Sequence, residues 1–134
     1  MRDLHHNVKL SNALDATAIA ANGATDGEII DTQGFQSLEF AIKSETLTDG
    51  TYTPSLTEGD VADLSDGAAV AAGDLLGTVA GATFAATDDN KVKKIGDRGL
   101  KRYARLTITA AGVTNGGTLS AIAVQGHALT APVA

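Results

Sequence analysis

Apolar and polar positions alternate with period two at several places along this chain. In SLEFAIKS (37–44), Leu38, Phe40 and Ile42 share one side while Glu39 and Lys43 share the other, which predicts a half-buried strand. RYARLTITAAG (102–112) repeats the pattern, with Ala104, Leu106 and Ile108 predicted inward and Tyr103, Arg105, Thr107 and Thr109 outward. TYTPSL (51–56) follows the turn TDG and puts Tyr52, Pro54 and Leu56 on one parity. Pro54 has no N–H to give to a ladder, so its strand is expected at a sheet edge or to end there. GEIIDTQGF (27–35) reads as a short strand running into a Gly-containing turn. ALDATAIAANG (13–23) is Ala-rich and open to a helical reading, but Thr17, Ile19 and the Asn22-Gly23 turn signal favour a strand. TLSAIAVQGHAL (118–129) is the last strand. VTNGGT (113–118) carries a hairpin signal, so 102–112 and 118–128 are expected to pair directly.

The rest of the chain is less regular. Residues 57–90 read as loops and short strands, and 91–101 as a basic loop approaching the strand at 102. Residues 1–12 form a polar N-terminal arm leading towards NVKL, 13–129 a single domain, and 130–134 an extended tail in which Pro132 keeps its neighbour out of the helical region. Short strands, frequent turn signals and no long helical pattern predict an all-β fold. The expectation is an antiparallel β-sandwich with an extended N-terminal arm, and a jelly-roll-like topology is among the arrangements it allows. The 134 residues fit one domain with a lean core, since Ala and Gly outnumber Leu, Ile, Val and Phe by 39 to 31. Small side chains bury little apolar area each, which favours further burial against partner subunits.

Charge changes the picture. KVKKIGDRGLKRYAR (91–105) holds seven of the ten Lys and Arg residues and one acid, so it carries +6 while the remainder carries −12. Three readings of Lys91, Lys93, Lys94, Arg98, Lys101, Arg102 and Arg105 are open. They dock on an acidic protein surface or a sister subunit, they form a solvated face paired with the chain's own carboxylates, or they bind nucleic acid. The last ranks lowest, because Tyr103 is the only aromatic there and the acidic body repels a polyanion. Protein docking ranks first.

Candidate chemistry is sparse. There is no Cys, hence no disulfide and no thiolate site. Asp60, Asp63, Asp66 and Asp74 lie in a Gly-containing loop (58–74) that could offer oxygens to calcium, but they recur at every third position and not every second. His5 and His6 are adjacent and would point to opposite faces of an extended chain, a poor chelate. His127 has no Ser or Asp at a recognisable catalytic spacing, and Asp88-Asp89 sits in a polar loop with nothing to raise a carboxyl pKa. No catalytic residue, metal or cofactor is expected. No apolar run approaches the ~20 residues of a membrane helix, and MRDLHHNVKL lacks the apolar core of a signal peptide.

The succession DLLGT (74–78), DDNKVKKIGDRGLKRYARLTITAAG (88–112) and NGGTLSAIAVQGHALTAPVA (115–134), with TDGEIIDTQGFQSLEFAIKS and TDGTYTPSLTEGD before it, resembles a group of small head proteins of tailed bacteriophages. These are encoded near the major capsid protein. The resemblance runs from about residue 25 to the end and rests on overall pattern, with no single diagnostic motif. It implies a non-enzymatic capsid decoration, or cement, protein on the virion surface, assembled in the bacterial host cytoplasm. Its implied partners are the major capsid protein and its own copies, with a trimer favoured. The alternatives are a tail or head–tail connector protein, or a carbohydrate-binding module on the virion. The last is disfavoured by only five Phe and Tyr in the chain.

Overall fold

The structure, a computed structural model, describes residues 3–99, 101–130 and 132–133. Ten strands run in chain order: β1 Lys9–Ile19, β2 Gly23–Asp31, β3 Phe35–Leu47, β4 Thr51–Gly59, β5 Ala68–Ala69, β6 Leu75–Leu76, β7 Phe84–Ala85, β8 Val92–Asp97, β9 Tyr103–Ala111 and β10 Gly117–Ala128. A single helical turn, α1 (Val79–Ala82), is capped by Thr78, whose Oγ1 accepts the Gly81 N–H at 2.9 Å. The strands form two antiparallel sheets. Sheet I has the order β1-β10-β3-β8-β6, and sheet II the order β2-β9-β4-β5, with β7 also on β4.

The pairing is nested. β1 lies on β10, β2 on β9, β3 on β8, and β4 on the short β5 and β7. The first four long strands alternate between sheets, and the returning strands alternate with them. A doubled-over chain wound in this way is a jelly roll. The inward rows meet between the sheets, with Leu38, Phe40, Ile42, Ile95, Leu119 and Ala121 of sheet I facing Tyr52, Leu56, Leu106 and Ile108 of sheet II. The period-two reading of 37–44 and of 102–112 therefore holds residue by residue. Pro54 also behaves as its chemistry requires. β4 pairs with β9 along its whole length, but on its other side it meets β7 only at Thr51–Tyr52 and β5 only at Thr57–Glu58. Pro54 falls in the gap.

Two expectations are corrected. β9 and β10 do not form a hairpin; they belong to opposite sheets. Both strands carry one inward apolar row, and such rows can lie side by side in one sheet or face each other across a core. The pattern is the same in either case. Long-range contacts on the connecting loop decide. The carboxylate of Asp49 accepts the N–H groups of Thr114, Asn115 and Gly116 at 2.9–3.0 Å, and Asn22 Oδ1 accepts that of Val113 at 2.8 Å. Gly116 has φ +84° and is pressed against the Ile19 carbonyl, where a Cβ would collide.

The second correction concerns 91–101, which is not a loop throughout, because β8 is a strand laddered on β3. Lys93 hides it. This residue points inward beside Ile42, with its ammonium 2.6 Å from the Thr83 carbonyl, 3.1 Å from Asp88 and 5.1 Å from the Phe84 ring centre. An inward lysine breaks the alternation, yet its aliphatic stem packs and its head is satisfied. At the N-terminus, β1 begins at Lys9, so residues 9–12 are already paired with Gln125–Ile122. The expectation that Pro132 keeps residue 131 extended lies outside the described residues.

Candidate docking face

The seven basic residues do not form one stripe. Lys91 precedes β8, Lys93 and Lys94 take opposite faces of it, Arg98 and Lys101 lie in the crossover between sheets, and Arg102 and Arg105 sit with sheet II. Five are ion-paired within the chain. Lys91 and Lys93 reach Asp88 at 3.0 and 3.1 Å, Lys101 reaches Asp60 at 2.9 Å, Arg102 holds Asp31 through two 2.9 Å bonds, and Arg105 lies 3.7 Å from Asp26. The Ala85 amide and the two lysines hold the Asp88 carboxyl far below the usual range, and the Arg102 guanidinium holds Asp31 down. Arg98 donates to the Gly73 carbonyl at 2.9 Å. Lys94 stands on the outside of sheet I. Much of the +6 is thus spent internally, as ties between strands and loops.

The other sequence candidates are also engaged by the fold. In the acidic loop, Asp66 accepts the N–H groups of Asp60 and Val61 at 2.9 and 3.2 Å, and Asp63 that of Ser65 at 2.9 Å. These amides hold both carboxyls below their ordinary range. Among the described residues, no group of three or more His, Cys, Asp and Glu is placed to hold a metal ion. His5 and His6 stack edge to face with centroids 4.9 Å apart, and His6 Nδ1 bonds Asp3. His127, with φ +51°, bonds Ser37 Oγ through Nδ1 at 2.5 Å. One acidic pair escaped the sequence reading. Glu58, from sheet II, and Asp97, from sheet I, meet under the crossover, where Gly99 donates to Asp97 at 2.6 Å. Burial, and then their mutual charge and that of Asp74, push Glu58 up; burial first and Asp74 also raise Asp97.

The outer faces of the two sheets differ in kind. On sheet II, Thr51, Thr53, Ser55 and Thr57 of β4 stand beside Thr107 and Thr109 of β9, flanked by the Asp26–Arg105 and Asp31–Arg102 pairs. That face suits water. On sheet I, Leu10 stands opposite Val124, Ile122 beside Ala41, and Leu76 opposite Gly96. Leu10 is 62% exposed, Ile122 44%, Leu76 41% and Val92, at the far edge, 64%. Glu39 and Glu45 of β3 are matched there by Lys43 and Lys94. A groove of about 540 Å³ continues this face, with Val8, Leu76, Val124 and Ala128 along it and Asn7, Ser37, Glu39 and His127 as its polar members. Burial raises the Glu39 carboxyl, and the nearby Lys94 partly offsets this.

The face has a sequence signal in β10. TLSAIAVQ is apolar on both parities, with Leu119, Ala121 and Ala123 inward but Ile122 and Val124 outward. A strand of a two-layer sandwich needs only one apolar side.

No family model matches the chain, and a search of curated proteins returned no relative. Solved structures with a similar course of the chain include the SPBc2 prophage-derived protein YomS, at 18% identity over 88% of this chain and 93% of that one, with a TM-score of 0.46. A structure of infectious bursal disease virus, Gx strain, matches at 16% identity over 93% of this chain and 34% of that one, with a TM-score of 0.47. A carbohydrate binding module of family 29 matches at 13% identity over 90% of each chain, with a TM-score of 0.36. Likenesses this loose assign the chain to none of these groups.

Proposed function

We propose that this chain is a structural protein of a tailed-phage virion, a decoration protein that lays the outer face of sheet I on the assembled head and bridges neighbouring capsid subunits. The observation that carries the reading is the contrast between the two sheet faces. Exposed aliphatic side chains over β1, β10 and β6, with charges that balance, are expensive to leave in water and cheap to bury on a protein surface. The threonine face opposite remains in solvent. The head-protein resemblance of residues 25–134 supports the same reading, and so does the lean core, since binding adds stability by mass action. Lys94 and Arg98, which have no carboxylate within ion-pair distance among the described residues, would meet acids of the partner. Self-association, as a trimer above all, would add multivalency, because each copy tethers the next near its own site.

Copy number separates this role from that of a tail or connector protein. Quantitative gels of purified particles should show the chain in a number comparable with the capsid subunit. A small fixed number per particle would instead place it in the tail or the connector and end the decoration reading.

A further inference from the structure

We propose that the groove beside Glu39 receives an extended segment of the capsid partner in which a Lys or Arg is flanked by aliphatic side chains; this rests on the docking reading above. Glu39 lies on the floor of the groove, between Val124 on one neighbouring strand and Gly96 on the other. Gly96 makes the room. A Cβ there would stand 2.5 Å from Glu39 Oε2 and 3.1 Å from Leu76 Cβ. The carboxylate therefore lies low across β8, next to Leu76, among apolar side chains.

It has no cation within ion-pair distance among the described residues. Lys43 is taken by Glu45 at 2.8 Å. Lys94 sits two positions along β8 from Gly96, outside that distance, and acts on Glu39 only through its field. Covering this surface with a purely apolar partner would strand a charge, which is costly. A lysine or arginine satisfies both demands of the site. Its head pairs with the carboxylate, and its methylene stem lies against Val124 and Leu76. Asn7, Ser37 and His127 also line the groove and offer polar groups to a bound backbone, with Ser37 Oγ bonded to His127 Nδ1 at 2.5 Å. The volume, about 540 Å³, is in the range that holds a short run of side chains.

The test uses heads of a deletion phage that lacks this protein, mixed with purified chain and read by co-sedimentation. Glu39→Gln should weaken binding about tenfold, and Glu39→Lys much more, through repulsion of the partner's cation. Both variants should keep the parent's far-UV spectrum and melting curve. Ile122→Lys, on the same face but away from the groove carboxylate, should also lose binding. If Ile122→Lys fails to bind while Glu39→Gln binds like the parent, the face docks without a cation and the inference is overturned. If neither variant loses binding, the docking reading falls with it. Sedimentation equilibrium without heads is the remaining arm. Self-association abolished by Glu39→Gln would make the occupant a second copy and overturn the capsid-segment assignment.

Discussion

Asp49 lies in a turn at the surface, yet its carboxylate collects three backbone amides of a loop more than sixty residues away. Those bonds favour the charged form and hold its pKa below the ordinary value, the Asn115 amide first. Stability from such a group is present above the unfolded carboxyl pKa and is lost as pH falls through the lower folded value. Asp49→Ala should therefore lower the urea midpoint at pH 7, and the difference from the parent should close in strong acid. Amide exchange at Thr114–Gly116 should quicken in the same variant. Glu58 and Asp97 work in the opposite sense. Burial raises both, so their stability is complete below the unfolded carboxyl pKa and declines as pH rises through the raised values. Glu58→Gln offers a hydrogen-bond donor towards Asp97 and removes one charge. It should raise the thermal midpoint at neutral pH, with the gain vanishing in acid; an unchanged midpoint at pH 7 would show that the pair carries no strain. Neither cluster could be read from the chain. Asp49 looks like any turn aspartate in TDG, and nothing local to Glu58 announces a second carboxyl from the other sheet.

Among the elements, the alternating strands were the most legible. β3 and β9 each show one apolar parity, and that parity is the buried one. Leu106→Ala, in the centre of β9, should cost about 2–5 kcal/mol in chemical denaturation. β8 was hidden because one inward position is a lysine, and β10 was only half read because both its parities are apolar. The connection between β9 and β10 is the most instructive failure. Asn-Gly favours a tight hairpin wherever the flanking strands can pair. Here Gly116 is committed instead to a close approach against Ile19, at a positive φ. Gly116→Ala meets both obstacles and should destabilise by about 2 kcal/mol or more. A true two-residue hairpin at this position would impose the positive φ but not the collision with the Ile19 carbonyl.

At the scale of the whole molecule, the nested strand order sets what each face can do. It brings β1, β10, β3 and β8 side by side, so that Leu10, Ile122, Val124 and Ala41 from distant parts of the chain become one surface. It also splits the basic segment between sheets and pairs five of its seven cations with acids of the same chain. Leu10→Lys combined with Ile122→Lys should leave the unfolding free energy within about 0.5 kcal/mol per site, as exposed positions do, but should strip the chain from particles. The matching pair on the other face, Ser55→Lys with Thr109→Lys, should leave both stability and occupancy unchanged. Loss of occupancy in the second pair and not the first would place the docking surface on sheet II.

The chain's own pattern was enough for an all-β sandwich, for the inward rows of its clearest strands, and for the tolerance of Pro54 at an unpaired stretch. These depend on side-chain period and on the missing proton of proline, which are local. The partnership of strands, the two-sided character of the sandwich and the fate of the basic charges were decided only by the tertiary structure. The physical reason is common to all three. An apolar row specifies that it must be buried but not against what, and a cation specifies that it needs an anion but not which one. The burial partners, and the anions of Lys101, Arg102 and Arg105, come from residues far apart in sequence, brought together when the doubled chain winds into its two sheets.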